Sequence, residues 1–261
     1  MTELIKVKMD DGIAQVALNR PEAFNSFNLE LLQLLTDTLI KLAVDDTVSA
    51  LVITGTGKAF CAGGDLKWAL SQPGENAAAF HNLAARFHQA ILEIRRMRKP
   101  VIAAVNGVAA GGGFSLALAC DFRVLAKSAI LRQAYTAAGL CVDGGGTFAL
   151  PRLVGLARAM EIVGFDKPIS SDQALQWGLV TKVVEDGRAL EEAVNMARVL
   201  ARGSVHSFGW CKELLTDSFN TSFETHIERE RLALKHCAAH PDGIEGLNAF
   251  TEKRKPVFNV K

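Results

Sequence analysis

The chain has 261 residues, of which 49% are hydrophobic and 22% are charged, and its formal net charge is +1. This length and balance suit a globular protein, and they exclude a disordered, collagenous or coiled-coil chain. A net charge so close to zero gives no bulk attraction to nucleic acid or to an anionic membrane, so we expect neither as a partner.

The N-terminal segment MTELIKVKMDDG carries charges where a secretory signal has its apolar core. The five cysteines are odd in number, scattered and without a CxxC pair. This distribution argues against a disulfide framework and against a cysteine-based zinc site, so we expect reduced thiols and a cytoplasmic protein. Residues 100–120 are uncharged, but glycines interrupt them, which favours a buried strand, a turn and a buried helix over a membrane span.

Hydrophobic periodicity predicts the elements of the first half of the chain. Two strands are expected at 4–9 and 12–19, joined by a turn at 10–12, and Asn28 is expected to cap a helix that runs to about Val44. The elements that follow are a strand at 50–54, a helix from about Asp65, a break at Pro73 and Gly74, a helix at 76–97, a strand at 101–105, a helix from about Gly112 and a strand at 122–126.

Helices dominate the second half of the chain. They are expected at about 157–164, 171–177, 187–202, 204–217, 221–238 and 242–251, with a strand at 179–184. Alternation of strands and helices is typical of the α/β class with parallel strands covered by helices. No obvious linker precedes the helical tail, so we expect a catalytic core at 1–200 and a dependent C-terminal helical extension at 201–261.

Two segments of the chain resemble each other. LVITGTGKAFCAGG at 51–64 and VIAAVNGVAAGG at 101–112 each run from a buried strand through a small-residue turn to Ala-Gly-Gly at a helix start. They indicate either successive turns of a spiral or the general likeness of βα units. Helix N-termini offer free backbone N–H groups. Gly64 and Gly112 are therefore candidate donors of an oxyanion hole, and tight turns are the alternative.

Longer blocks of sequence resemble a known family. KAFCAGGDL, KPVIAAVNGVAAGGGFSLALACD and GLCVDGGGTFALPRLVGLARAM are similar to the three signature blocks of the crotonase family, the enoyl-CoA hydratase/isomerase superfamily. Flanking blocks extend the resemblance over essentially the whole chain. It implies a ClpP/crotonase-like spiral of ββα units with a C-terminal helical trimerisation region, usually a homotrimer or a hexameric dimer of trimers. It also implies acyl-CoA thioester substrates, with coenzyme A as part of the substrate, no further cofactor and no metal.

The resemblance assigns roles residue by residue. The N–H groups of Gly64 and Gly112 correspond to the oxyanion hole, and the carbonyl of Ala62 would meet the adenine amino group of CoA. Asp65 belongs to the same CoA-binding segment, where capping of its helix is the expected role. Phe250 and Lys253 lie in the segment that approaches the CoA of a neighbouring subunit in relatives.

Departures from the family pattern bear on the reaction. Hydratases of the family use two glutamates, and this chain has Ser115 and Tyr135 at those positions. A serine cannot act unaided as a general acid or base, so water addition by the two-glutamate route is not expected. We expect Ser115 and Tyr135 to shape the acyl pocket together with Trp68, which lies in the variable segment 67–82.

One carboxylate remains in the third signature block, Asp143 in CVDGGG. Aspartate suits a helix cap at Gly144, and it equally suits a catalytic base. The isomerase branch that resembles phenylacetate-pathway enoyl-CoA isomerases has aspartate here, and dehalogenase relatives place a nucleophilic aspartate at this position. Asp121 is expected to be structural, and His88 is expected to be a hydrogen-bonded or solvated histidine without a catalytic role.

The sequence therefore favours an isomerase that shifts the double bond of a 3-enoyl-CoA, or of a ring-derived enoyl-CoA, to the 2-position. Asp143 would carry the proton, and Gly64 and Gly112 would stabilise the thioester enolate. The alternatives are a hydratase with atypical acid and base groups, an aryl-CoA hydrolase or dehalogenase, and a non-catalytic acyl-CoA binder.

Overall fold

The computed structural model of the protein describes residues 3–74 and 76–259. Its strands are β1 (Ile5–Asp10), β2 (Ile13–Leu18), β3 (Ala50–Gly55), β4 (Ala59–Cys61), β5 (Val101–Val105), β6 (Val108–Ala110), β7 (Phe122–Ala126), β8 (Leu131–Arg132) and β9 (Lys182–Val184). Its helices are α1 (Leu29–Val44), α2 (Leu66–Ser71), α3 (Asn76–Arg96), α4 (Gly112–Ala119), α5 (Gly146–Phe165), α6 (Ser171–Gln176), α7 (Ala189–Ala201), α8 (Val205–Asp217), α9 (Phe223–Ala239) and α10 (Pro241–Thr251).

The larger sheet has six strands in the order β1-β2-β3-β5-β7-β9. The hairpin β1–β2 is antiparallel, and every later pairing in this sheet is parallel. Two left-handed residues, Asp11 at φ 49° and Gly12 at φ 76°, close the hairpin, as a two-residue turn between twisted strands requires. These strands confirm the α/β class and all of the longer strands that periodicity predicts.

The two faces of this sheet are covered by different helices. Along β3, Leu51 and Ile53 point into the main core with α1 and α3, whereas Ala50 and Val52 point into a second core with α7. Alternate residues of a strand face opposite sides of a sheet. Burial on both faces therefore explains why β3 reads as a continuous apolar run.

A second, smaller sheet pairs β4, β6 and β8 in parallel. The sequence did not predict these strands, because each has three residues or fewer and periodicity needs a longer run. The two similar sequence segments correspond to equivalent strands: β3 of the first pairs with β5 of the second, and β4 of the first pairs with β6 of the second. The strand–turn–helix unit therefore recurs as successive turns of a spiral.

Helix α5 begins earlier than expected. The sequence predicts a helix at about 157–164, whereas the observed helix starts at Gly146 and includes Pro151. Gly155 breaks its regularity with φ 74° and ψ 161°. Proline and glycine disfavour a helix interior, so a reading based on propensity misses the first half, which begins directly beside Asp143.

The C-terminal helices are tied to the core by a buried cation. Lys212 on α8 donates hydrogen bonds of 2.8 Å to the carbonyl of Ile94 and to the carboxylate of Asp121. Asp121 also accepts a hydrogen bond of 2.8 Å from the N–H of Val101, which confirms its structural role.

Within the described ranges, none of the helices is long and apolar enough to cross a membrane.

Candidate active site

Two glycine turns lie side by side at the ends of β4 and β6. These strands pair in parallel with Cys61 opposite Ala109, so the segments that follow them run together. Gly63 has φ 93°, and a Cβ on it would lie 2.8 Å from the nitrogen of Gly112. Only glycine permits this close approach, which brings Gly64 and Gly112 to the same place.

Both of these glycines have an N–H group that is free to bind a ligand. Phe27 donates to the carbonyl of Gly63 at 2.7 Å and accepts from Asp65 at 2.8 Å, which leaves the Gly64 N–H between those two bonds without an acceptor among the described residues. Gly112 is the first residue of α4, so its N–H has no partner within the helix. Two such donors beside one cavity are the elements of an oxyanion hole.

The two donors open into a cavity of about 230 Å³. Most of its wall is apolar, which suits an acyl group. The lining consists of Phe27, Leu32, Ala62, Gly64, Leu66, Phe80, Leu83, Ala84, Phe87, Gly111, Gly112, Ala134, Tyr135, Ala138, Leu140, Cys141 and Asp143. Asp143 is the one carboxylate in this lining, and it shares the cavity with both N–H groups.

Asp143 is held by a neighbour that the sequence did not pair with it. The hydroxyl of Tyr135 donates a 2.6 Å hydrogen bond to Asp143 Oδ1. Helix α5 has Gly145 at its N-cap, with no hydrogen bond from a side chain, so the observed carboxylate of Asp143 does not cap it. The geometry removes the ordinary structural explanation for Asp143 and leaves its carboxylate oriented at the cavity.

The environment of Tyr135 keeps its phenol protonated. Burial raises the pKa of Tyr135 well above its ordinary value, and the charge of Asp143 and the hydrogen bond to it raise it further. The phenol is therefore a hydrogen-bond donor throughout the neutral pH range and not a base. Its role in the site is to orient the carboxylate.

His88 also lies beside this carboxylate, a contact that the expectation of a hydrogen-bonded or solvated histidine does not include. Its Nε2 is 3.6 Å from Asp143 Oδ2 and accepts a long hydrogen bond of 3.4 Å from the N–H of Gly144. Half of the His88 side chain is exposed. No motif marks this contact, because His88 and Asp143 are 55 residues apart in the sequence.

Ser115 and Trp68 do not line the cavity. Ser115 is buried and donates a 2.7 Å hydrogen bond to the backbone carbonyl of Asp143, so it fixes the backbone of the loop that carries Asp143. Trp68 is partly buried against the main core. The expectation that these two residues line the pocket is not met by the observed lining, whereas Phe80 of the same variable segment does line it.

The residues assigned to CoA binding occupy two regions. Ala62 lines the cavity, and none of the described residues donates a hydrogen bond to its carbonyl. Asp65 caps α2 by accepting from Trp68 N at 3.0 Å, and it pairs with Arg20 at 2.8 Å. Phe250 is exposed in the last turn of α10, Lys253 is exposed just after the helix ends, and neither lines the cavity of their own chain.

In the part of the chain that the structure describes, no group of three or more His, Cys, Asp or Glu side chains is arranged to hold a metal ion. All five cysteines fall within that part and are free thiols. The chemical groups of the cavity lining are two main-chain donors, the carboxylate of Asp143, the phenol that holds it and the thiol of Cys141.

The parallel-strand spiral brings two N–H groups and one carboxylate to an apolar cavity, and these are groups that can polarise a carbonyl and move a proton beside it. The family model described as enoyl-CoA hydratase/isomerase matches residues 8–261. The chain therefore belongs to the enoyl-CoA hydratase/isomerase, or crotonase, family.

Its relatives differ in the reaction they catalyse. The chain is 37% identical to 1,2-epoxyphenylacetyl-CoA isomerase of Escherichia coli, covering 100% of both chains. It is 32% identical to 4-chlorobenzoyl coenzyme A dehalogenase-2 of Arthrobacter sp, covering 95% of this chain and 91% of the relative. The solved structure of an enoyl-CoA hydratase from Bacillus anthracis superposes with a TM-score of 0.93 at 33% identity, covering 99% of this chain and 100% of that one. Because relatives with three different reactions share this fold, the reaction of each protein has to depend on the side chains of its cavity.

Proposed function

We propose that this protein is an acyl-CoA isomerase that moves the double bond of a 3-enoyl-CoA, or of a ring-derived enoyl-CoA, to the 2-position. The observation that supports this function is the single carboxylate of the cavity. A hydratase of the two-glutamate type needs two carboxylates at positions that Ser115 and Tyr135 occupy. A shift of a double bond needs only one group that takes a proton and returns it.

The proposed reaction begins at the thioester carbonyl. Its oxygen accepts hydrogen bonds from the N–H groups of Gly64 and Gly112. Each such donor contributes about 3–4 kcal/mol to the stability of an oxyanion. The carboxylate of Asp143 removes a proton from C2, and the electron pair of that C–H bond delocalises into a dienolate. Protonated Asp143 then returns the proton to C4, which leaves a double bond between C2 and C3.

The polar neighbours of Asp143 favour this assignment. The phenol of Tyr135 orients Oδ1 without competing for the proton, because its own pKa is raised by burial and by the carboxylate. Ser115 fixes the backbone of the same loop through the carbonyl of Asp143. A base held in this way contributes about 10²–10⁴-fold to the rate.

Binding of CoA completes the proposal. The unpaired carbonyl of Ala62 would accept the adenine amino group, in the same segment as the helix cap Asp65. Phe250 and Lys253 would contact the CoA of a neighbouring subunit in a homotrimer or in a dimer of trimers. Sedimentation of the purified protein tests the assembly, because a monomer would leave these two residues without that role.

The test of the reaction is an assay of the purified enzyme with 3-enoyl-CoA esters, both straight-chain and ring-containing, with the 2-enoyl-CoA product identified by mass and ultraviolet absorbance. Asp143→Asn keeps the size of the side chain and removes the base, so the rate should fall by about 10²–10⁴-fold. Isomerisation that survives this substitution would contradict the proposed role.

A dehalogenase is the second candidate, because a 4-chlorobenzoyl coenzyme A dehalogenase is among the relatives at 32% identity. In that reaction Asp143 would attack the aryl carbon, displace halide and form an ester that water hydrolyses. A single turnover in ¹⁸O-labelled water separates the two functions. The isomerase incorporates no label, whereas hydrolysis of an aspartyl ester leaves label in the enzyme or in the product.

A further inference from the structure

A second cavity of about 370 Å³ lies beside the site. Its lining includes Gly144, which follows Asp143 in the chain, and His88, whose Nε2 lies 3.6 Å from Asp143 Oδ2. The rest of its wall comes from α3, α4 and the start of α5, and it is mostly apolar. The lining consists of His88, Ile91, Leu92, Arg95, Ala119, Gly144, Gly145, Phe148 and Ala149.

Arg95 is the one guanidinium in this lining, and it is half-buried. Within the ranges that the structure describes, none of its five N–H groups donates a hydrogen bond. The buried guanidinium of Arg123, in contrast, donates to the carbonyls of Leu179 and Cys120 at 2.6 Å each. The guanidinium of Arg95 is only partly buried, and its nitrogens remain accessible, so its N–H groups are available to a ligand that enters the cavity.

The charged neighbours of Arg95 do not supply the missing acceptor. Burial lowers the pKa of Arg95, whereas Asp121 and Asp217 raise it from a distance. The carboxylate of Asp121 is already bonded to Lys212, and that of Asp217 to Arg229, each at 2.8 Å.

The aromatic neighbour does not use these donors either. The guanidinium carbon of Arg95 lies 5.4 Å from the ring centroid of Phe148, a ring that Arg152 covers at 3.4 Å. Neither the charged nor the aromatic neighbours therefore occupy the N–H groups of Arg95, which stay available to an acceptor in the cavity.

The spacing along α3 connects Arg95 with the reacting carbons. Arg95 follows His88 by seven residues, which is about 10 Å along a helix axis. His88 stands between the two cavities, held by a single long hydrogen bond from Gly144, so its movement would join them.

We propose that the second cavity receives the distal part of the acyl group and that Arg95 binds a carboxylate at its end. The substrate class is then a medium-chain enoyl-CoA that ends in a carboxylate instead of a methyl group. A guanidinium binds a carboxylate through two parallel hydrogen bonds, and this would give Arg95 its missing acceptors. The inference rests on the proposed function for the placement of the thioester at Gly64 and Gly112.

The experiment compares two 3-enoyl-CoA esters of equal chain length, one with a terminal methyl group and one with a terminal carboxylate. The wild-type enzyme should have the higher kcat/KM on the carboxylated ester. Arg95→Met should remove about 10- to 100-fold of that preference and leave kcat/KM on the methyl ester nearly unchanged. Arg95→Lys should retain part of the preference. Arg96→Met is the matched control, because Arg96 is exposed one position further along α3.

Binding of the corresponding saturated acyl-CoA pair, measured by calorimetry, separates this proposal from the proposed function. If neither enoyl ester is isomerised but the carboxylated ligand binds more tightly through Arg95, the reaction is wrong and the subsite is right. Equal affinity of the wild-type protein for both ligands would overturn the subsite. So would a preference that Arg95→Met leaves intact.

Discussion

The contact between Tyr135 and Asp143 gives the sharpest prediction. Tyr135→Phe removes the 2.6 Å hydrogen bond to Oδ1 and keeps the ring. The remaining side-chain neighbour of the carboxylate is His88 at 3.6 Å, which is too long for a good hydrogen bond. Since a misplacement of about 1 Å can cost about 10²-fold in rate, we expect kcat to fall 10- to 100-fold while KM changes little.

Steady-state kinetics on a 3-enoyl-CoA measure this loss, and a double-mutant cycle tests its cause. If the phenol acts through the carboxylate, Tyr135→Phe should add almost nothing in the background of Asp143→Asn. Wild-type kcat in the single variant would refute the positioning role. Losses that multiply in the double variant would show that Tyr135 acts independently of Asp143.

Tyr135 is also the only tyrosine of the chain, so the near-ultraviolet absorbance of phenolate reports on it alone. Burial first, and then the charge of Asp143, raise its pKa, and the wild-type phenol should therefore stay protonated well into the alkaline range. Asp143→Asn removes the second cause, so ionisation should begin at lower pH than in the wild type. Identical titrations of the two proteins would mean that the hydroxyl and the carboxylate are not in contact.

Three further predictions concern the oxyanion hole, the buried ion pair and the thiols. Gly64→Pro deletes an N–H that has no acceptor among the described residues, so kcat should fall about 10²–10³-fold. Gly64→Ala keeps the N–H and should remain active, and equal activity of the two variants would exclude Gly64 as a donor. Asp121→Asn leaves Lys212 buried without its carboxylate, so the free energy of unfolding, measured with urea, should fall by about 3–5 kcal/mol. A fall below about 1 kcal/mol is typical of an exposed salt bridge and would contradict the burial of this pair. Burial raises the pKa of Cys61 to about 12, so a thiolate-selective reagent at neutral pH should leave Cys61 unmodified in the native protein. The reagent should modify exposed Cys141, and a bound acyl-CoA ligand should protect Cys141. Modification of Cys61 before unfolding would contradict its burial.

The sequence predicts those parts of the site that depend on backbone chemistry and on residue type. Gly64 and Gly112 stand out because each follows a buried strand and lies at a helix start, where free N–H groups occur. Asp143 stands out because it is the lone acid between Arg132 and Arg152. Both observations need only local sequence, and the structure brings the three residues into one cavity.

The contacts made by side chains could not be predicted in the same way. Tyr135 reaches Asp143 because Ala134 takes a left-handed conformation with φ 54°, which no sequence pattern indicates for alanine. His88 reaches the same carboxylate through the packing of α3 against a loop 55 residues away. Trp68 turns toward the core, and Ser115 lies beneath the loop that carries Asp143, because burial decides their direction.

In the proposed mechanism the two donors that bind the thioester oxygen belong to the backbone, so activation of the thioester is separate from the choice of reaction. No side-chain replacement at Gly64 or Gly112 deletes an N–H, apart from proline, although the close contacts of Gly63 and Gly112 still restrict the side chains that fit there. The part of the site that moves protons rests on a few exchangeable side chains at positions 115, 135 and 143. Proteins with this fold can therefore change from one reaction to another by point mutation, while each evolutionary intermediate keeps a working carbonyl-binding site.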